Sequence, residues 1–402
     1  MRGKDTQQFV AFSCISPEER VPQDHPLRAI RTLIDSALEK IGTDLDKLYS
    51  AVGRPSIPPE RLLRASLLQV LFSVRSEIQL MEQVKFNILF RWFVGLNLDD
   101  EVWDVTVYTK NRDRMMVGDI SQKLLQAIVD QAREQGLLSE DHFTVDGTLI
   151  RAWANRDSFQ GKDPATVKGT GARGRKLLRD THESSTDKDA RLYSKGGQSM
   201  PCYIGHVIIE NRNGVVVAAC ATQASAKAES EAAVEMLDQI LPATSKPEHN
   251  QAVGASENEF QPPAVVSPTQ GAAEGEEEEG SAPAKAATLG ADTAYQKEHF
   301  IQQLRERNVA PHVSEYEPNP KFPNWLTEEE RQDPGFKVSQ SKRKLIEKVF
   351  GWAKQDRAVK QTKLRGIEKV NWLFVFVMAA HNVVRIVKLL PSTSPQPAVQ
   401  AQ

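Results

Sequence analysis

The sequence predicts a mixed α/β sheet core behind an all-α N-terminal unit. Three observations carry this. Apolar residues recur at helical spacing between residues 25 and 135. The period drops to two near Phe143. After a strong hairpin signal, strand and helix patterns alternate to residue 390.

Residues 1–24 are polar and irregular. In the helical unit, 25–135, Leu27, Ile30, Leu33 and Ile34 form one apolar stripe. Pro58 and Pro59 stand where a helix opens, ahead of Leu62, Leu63, Ala65, Leu67, Leu68, Val70 and Leu71. A further apolar helix carries Ile88, Leu89, Phe90, Trp92 and Phe93. The next spans about 121–135, with Leu124, Leu125, Ile128 and Ala132 inward.

The second unit covers residues 140–390. Phe143 and Val145 alternate with polar residues up to Asp146, as in a strand. After Trp153 a Gly-, Lys-, Arg- and Asp-rich stretch to about Met200 reads as a long loop. Residues 203–209 and 215–220 form two strands joined across Asn213-Gly214, a pair suited to a tight hairpin. A helix follows over 226–240. Residues 242–286, with Pro, Ala, Gly, Ser and the run Glu276–Glu279, read as a disordered acidic linker. A strand at 287–292, a helix at 295–307, a strand at 309–313 and helices at 342–360 and 369–390 complete the unit. The Ser-, Pro- and Gln-rich tail 391–402 reads as loose.

Composition excludes several classes. Cys14, Cys202 and Cys220 make no CxxC pair, so neither a zinc site nor a disulfide framework is indicated. The apolar stretch near 370–387 is interrupted by Asn371, His381, Asn382 and Arg385, short of a membrane span. The N-terminus, with Arg2, Lys4 and Asp5, does not read as a signal peptide, so a cytoplasmic protein is expected. The net charge of −2 conceals an asymmetry. Residues 241–286 hold eight Glu against Lys246 and Lys285, a local −6 that leaves +4 for the rest. Between Lys342 and Arg365 nine Lys or Arg face only Glu347 and Asp356, a run able to meet phosphates.

Three acidic residues stand at places from which they can converge. Asp146 lies in a strand, Asp292 ends one, and Glu347 lies mid-helix. Magnesium takes hard oxygen ligands and keeps several waters, so few carboxylates suffice, and two such ions can assist a phosphodiester displacement. Arg343, Glu347 and Lys354, spaced by four and seven, share one helix face. Simpler readings stand beside this one. Asp146-Gly147 fits a tight turn, Asp292 a helix N-cap, and Glu347 a surface pair with Arg343. His182 and Trp153 are candidate DNA contacts. His206 reads as a sheet residue, and Phe350 and Trp352 as core.

The spacing Arg343-x3-Glu347-x6-Lys354 resembles the Tyr-x2-Arg-x3-Glu-x6-Lys motif of DDE transposases from bacterial insertion sequences, most closely the insertion-sequence-five group. Gln340 stands at the motif's Tyr position. Other stretches resemble the group in the same order: His25-Pro26-Leu27-Arg28, Gly53-Arg54-Pro55, Lys110-Asn111-Arg112-Asp113-Arg114, Val145-Asp146-Gly147-Thr148, Asp189-Ala190-Arg191-Leu192, Leu289-Gly290-Ala291-Asp292 and Val349-Phe350-Gly351-Trp352. The acidic segment 242–286 is longer than the group's pattern leads one to expect.

The resemblance implies an RNase H-like core in which Asp146, Asp292 and Glu347 hold two Mg²⁺ ions, replaceable by Mn²⁺. It implies double-stranded DNA as partner, both element ends and target, with cut-and-paste strand transfer by a homodimer or higher oligomer at the bacterial nucleoid. Arg343, Lys354, Lys342 and Lys344 are the expected phosphate contacts, with Arg54, Arg61 and Arg64 in the N-terminal unit. Two alternatives share the pattern: an RNase H-like nuclease acting on branched DNA, and a non-catalytic DNA-binding remnant.

Overall fold

The computed structural model describes residues 16–50, 52, 56–116, 119–161, 182–195, 199–241, 287–317, 323–355 and 357–390. Residues 1–15, Arg54, the acidic segment 242–286 and the tail 391–402 lie outside the described residues, and so do the readings made of them.

The helical unit follows its apolar stripes. In helix Pro26–Lys40 the stripe of Leu27, Ile30, Leu33, Ile34, Ala37 and Leu38 is buried. His25 caps the start by accepting from Leu27 N–H. Pro59 opens helix Pro59–Leu71 at its first turn, where a missing N–H costs nothing. Helices Glu77–Phe86, Ile88–Val94, Val105–Met116 and Ile120–Glu134, with the short helices Pro17–Arg20 and Gly42–Asp46, complete the layer among the described residues.

Strands β1 (His142–Arg151), β5 (Met200–Glu210) and β6 (Val216–Gln223) form an antiparallel meander. Strands β7 (Ala287–Ala291) and β8 (Val309–Val313) then run parallel to β1. The order across the sheet is β6-β5-β1-β7-β8, with short β4 (Arg191–Tyr193) also on β5. Strands β2 (Phe159–Gly161) and β3 (His182–Ser184) pair separately, so the stretch read as a long loop carries three short strands.

Helices cover both faces. A side chain at Gly147 would meet Glu229 of helix Ala228–Ile240, whereas one at Gly205, the partner of Thr148, would meet Phe374 of helix Ile367–Leu389. Adjacent strand residues point to opposite faces, so these two helices do too. Helix Ile367–Leu389 is long and apolar enough to cross a membrane by length and composition, yet it is mostly buried. It packs on β6 and on helix Ile120–Glu134, joining the helical layer to the sheet in one core.

Three of the four polar residues that interrupt this helix bind the hairpin, whereas His381 packs on Trp352. Asn382 bonds both Val216 N–H (2.9 Å) and Val216 C=O (2.7 Å), Asn371 accepts from Ala221 N–H (2.7 Å), and Arg385 donates to Asn213 C=O (2.7 Å). Backbone polar groups of the sheet's outer strand are thereby satisfied. Asp187 and Asp189 in turn accept from Gly366 and Ile367 N–H at the helix start. Lys369 pairs with Asp113 at 3.0 Å.

Candidate active site

The parallel ladder between β1 and β7 ends at Thr144 opposite Gly290. Two residues further along each chain stand Asp146 and Asp292, so the register brings these carboxylates side by side. β1 does not turn at Asp146-Gly147. It runs on to Arg151, paired with β5 throughout. A notch is left where β7 has ended and β1 continues, and the carboxylates gather there.

Asp146 is largely buried, and burial pushes its carboxyl up to about 6. The Lys195 ammonium opposes this, while the neighbouring Asp292 adds to it. One Asp146 oxygen accepts from Gly147 N–H at 2.7 Å. Asp292 caps the 3₁₀ turn Thr293–Tyr295, with its Oδ1 accepting from Ala294 N–H at 2.9 Å. It is therefore an N-cap, but of this short turn and not of the helix expected over 295–307, which begins at Glu298 after Lys297. That bond uses one of its oxygens.

Two residues at the notch, and Tyr295 within its electrostatic reach, escaped the sequence reading. Glu229, buried in the first turn of its helix, lies across Gly147. The Lys195 ammonium bridges Glu229 Oε1 (3.0 Å) and Asp146 Oδ1 (3.8 Å) and donates to Gly147 C=O (3.4 Å). Burial opposes the Lys195 charge, but Glu229, Asp146 and Asp292 outweigh it and hold that ammonium above its ordinary value. Tyr295 is fully buried, and its hydroxyl finds no partner among the described residues. Burial first, then Glu229, Asp146 and Asp292, drives its phenol well above the usual range. Glu229 left a trace in the sequence, a carboxylate on the stripe shared with Ala233 and Met236. Lys195, in a polar Gly-rich stretch, left none.

The helix expected over 342–360 is divided. Helix Phe336–Lys342 ends at Arg343, helix Lys344–Gln355 carries Glu347 and Lys354, and helix Arg357–Lys360 follows. Arg343 is therefore the joint between two helices, half-buried, with a buried Nε that lacks a partner among the described residues. Lys342, Lys344, Glu347 and Lys354 are exposed. Burial lowers the Lys354 ammonium and so does Lys195, whereas Asp146 acts the other way, so Lys354 lies within electrostatic reach of the notch. Among the described residues no three Asp, Glu, His or Cys side chains converge closely enough to chelate an ion, and Glu347 does not close a cage with the two aspartates.

Gln340, at the motif's Tyr position, spans the ends of β7 and β8. Its amide donates to Ala291 and His312 C=O, and its oxygen accepts from Ser314. Arg64 is committed to Asp35 at 2.8 Å within the helical unit, and Arg61 is half-buried. His182 lies half-buried in β3, and Trp153 is exposed just beyond β1. His206 bonds Thr222 at 2.8 Å within the sheet, and burial drives its imidazole down to about 3.

Two family matches bear on this geometry. Residues 15–114 match the transposase domain (DUF772) family, and residues 306–387 match the transposase DDE domain family. Together they indicate a DDE transposase. The DDE match contains Arg343, Glu347 and Lys354, whereas Asp146 and Asp292 fall between the two matches. No curated protein and no solved structure gives a match.

Proposed function

We propose that this DDE transposase cuts DNA at the ends of a mobile element of the insertion-sequence-five group and joins the freed ends to target DNA. The observation that carries the reading is the register placing Asp146 beside Asp292, with Lys354 within electrostatic reach of Asp146 from the helix that also bears Glu347. The sheet supports an RNase H-like core, since an antiparallel meander continued by two parallel strands in the order β6-β5-β1-β7-β8 is what that architecture requires.

The donor chemistry at the notch fits a divalent cation. Carboxylates supply hard oxygens, waters complete a magnesium shell, and the buried Tyr295 hydroxyl, without a partner among the described residues, lies within their electrostatic reach. Asp146 and Asp292, joined by Glu347 once its helix closes on the notch from the exposed position it has here, would hold two Mg²⁺ ions, or Mn²⁺ in their place, whose charge would activate the attacking oxygen and stabilise the leaving one. The chain's own residues do the rest. Gln340 pins the end of β7 and so orients Asp292. Lys354 and Arg343 neutralise phosphate beside the scissile bond, and Lys342 and Lys344 extend that surface. Arg64 is committed to Asp35, so DNA contact by the N-terminal unit falls to Arg61 and to Arg54, which is outside the described residues. A homodimer or larger assembly brings two ends together.

The test is cleavage of labelled end DNA in magnesium by wild type and by Asp146→Asn, Asp292→Asn and Glu347→Gln. All three variants should bind DNA and fail to cut it. Normal cutting by any one removes that residue from the site. Supplying pre-cut ends with a target plasmid separates the transposase from a nuclease, because only the transposase joins them.

A further inference from the structure

We propose that Glu229 is a further carboxylate of this metal site and that Lys195 is its resident counter-cation, neutralising Glu229 and Asp146 until a divalent ion displaces it. The inference rests on the site reading above and extends it.

A buried carboxylate must be paired, because desolvation penalises an isolated charge. Glu229, 6% exposed, has Lys195 as that partner at 3.0 Å. The same ammonium stands 3.8 Å from Asp146. A single point charge thus sits between two carboxylates that come from opposite faces of the sheet, in the place a cation would take. It arrives on a long flexible side chain, 41% exposed, from the loop after β4, so it can withdraw without moving a strand. Gly147 makes the approach of Glu229 possible, since a Cβ there would lie 2.9 Å from Glu229 Oε1. Tyr295 is the independent sign of a missing ligand. Its fully buried hydroxyl, without a partner among the described residues, lies in the field of Glu229, Asp146 and Asp292. An ion-bound water or a carboxylate turned by an ion would accept a hydrogen bond from it. A purely structural Glu229–Lys195 pair explains neither that orphan nor the reach of Lys195 to Asp146.

The experiment is Mn²⁺ titration of the purified full-length protein without DNA, read by the electron paramagnetic resonance of free Mn²⁺. Asp146→Asn reports on the site itself, Glu229→Gln on the added carboxylate, and Lys195→Met on the competitor. The expected result is weaker binding for Asp146→Asn, binding weakened about 10-fold or more for Glu229→Gln, and tighter binding for Lys195→Met. If Asp146→Asn weakens binding but Glu229→Gln does not, the role of Glu229 is overturned while the site stands. If Asp146→Asn changes nothing, the site reading fails and this inference with it. Weaker binding by Lys195→Met overturns the displacement. Should Glu229→Gln not fold, Glu229→Asp keeps the charge, withdraws the oxygens by one methylene and must also weaken binding.

Discussion

Glu210 and Asp146 are carboxylates of neighbouring strands, and their surroundings differ in kind. Glu210, wholly buried at the end of β5, accepts from the backbone N–H groups of Ser139, Arg212, Asn213 and Val215 at 2.7–3.2 Å. Its job is structural: it ties the Asn213-Gly214 turn and the entry to β1 to one point. Asp146 accepts from the N–H of the next residue, faces a shared lysine at 3.8 Å, and has Asp292 and Glu229 as like-charged neighbours. One carboxylate is surrounded by donors, and the other is short of them amid like charge. The second arrangement creates demand for a cation, and such under-compensated groups concentrate at functional sites.

Substitutions at the two positions should therefore separate activity from stability. The largest expected effect is on chemistry. Asp146→Asn should lower cleavage by more than the 10–100-fold typical of a residue that merely supports a metal ligand, with thermal stability equal to or above wild type. Cleavage within a few-fold of wild type in a gel assay would place Asp146 in the same structural class as Glu210.

Next in size is the converse. Glu210→Gln keeps the shape but removes a charged acceptor from four N–H groups, at a cost of about 2 kcal/mol. Urea denaturation measures this, and cleavage per folded molecule should be retained. An unchanged midpoint would mean that the turn does not depend on that charge.

Linkage sharpens the contrast. In the fold, without divalent ions, Asp146 has a pKa of about 6, against about 3.9 for an unfolded chain. A raised carboxyl pKa contributes stability that is present below about pH 4 and lost as pH rises through about 6. Wild type should thus lose on the order of 2 kcal/mol relative to Asp146→Asn between pH 4 and 7. Millimolar Mg²⁺ should restore the loss at the upper end, whereas cleavage should fall as pH drops through about 6. A stability difference that is flat with pH would show Asp146 to be fully compensated.

The smallest expected effects lie on the basic helix. Arg343→Gln and Lys354→Gln should each keep stability within about 1 kcal/mol while weakening DNA binding. Each should lower the log–log salt slope by about 0.9. Filter binding across a salt series reads both. Arg343 is the more demanding case, since it forms the joint between two helices and its Nε is buried.

Local chemistry made much of this protein legible without coordinates. Apolar spacing of three and four residues marks the helices of the N-terminal layer, Pro59 opens one of them, and Asn213-Gly214 closes the hairpin with Gly214 at φ +71. Each is decided by neighbours a few residues apart, which a sequence displays directly. The alternation up to Asp146 located a strand but left its continuation open, because Asp-Gly is equally good turn chemistry. Pairing with β5 over nine positions decided it. The break at Arg343 was likewise invisible, since residues 342–360 hold no helix breaker in the sequence beyond Gly351, which sits inside the helix. The notch itself belongs to tertiary structure. Asp146 and Asp292 meet through a parallel register spanning 146 residues of chain, and Glu229 and Lys195 join them from a helix and a loop. Side-chain periodicity records which face a residue occupies, but not which distant face lies opposite. That choice is made only when the sheet closes and burial forces each remaining charge to find its partner.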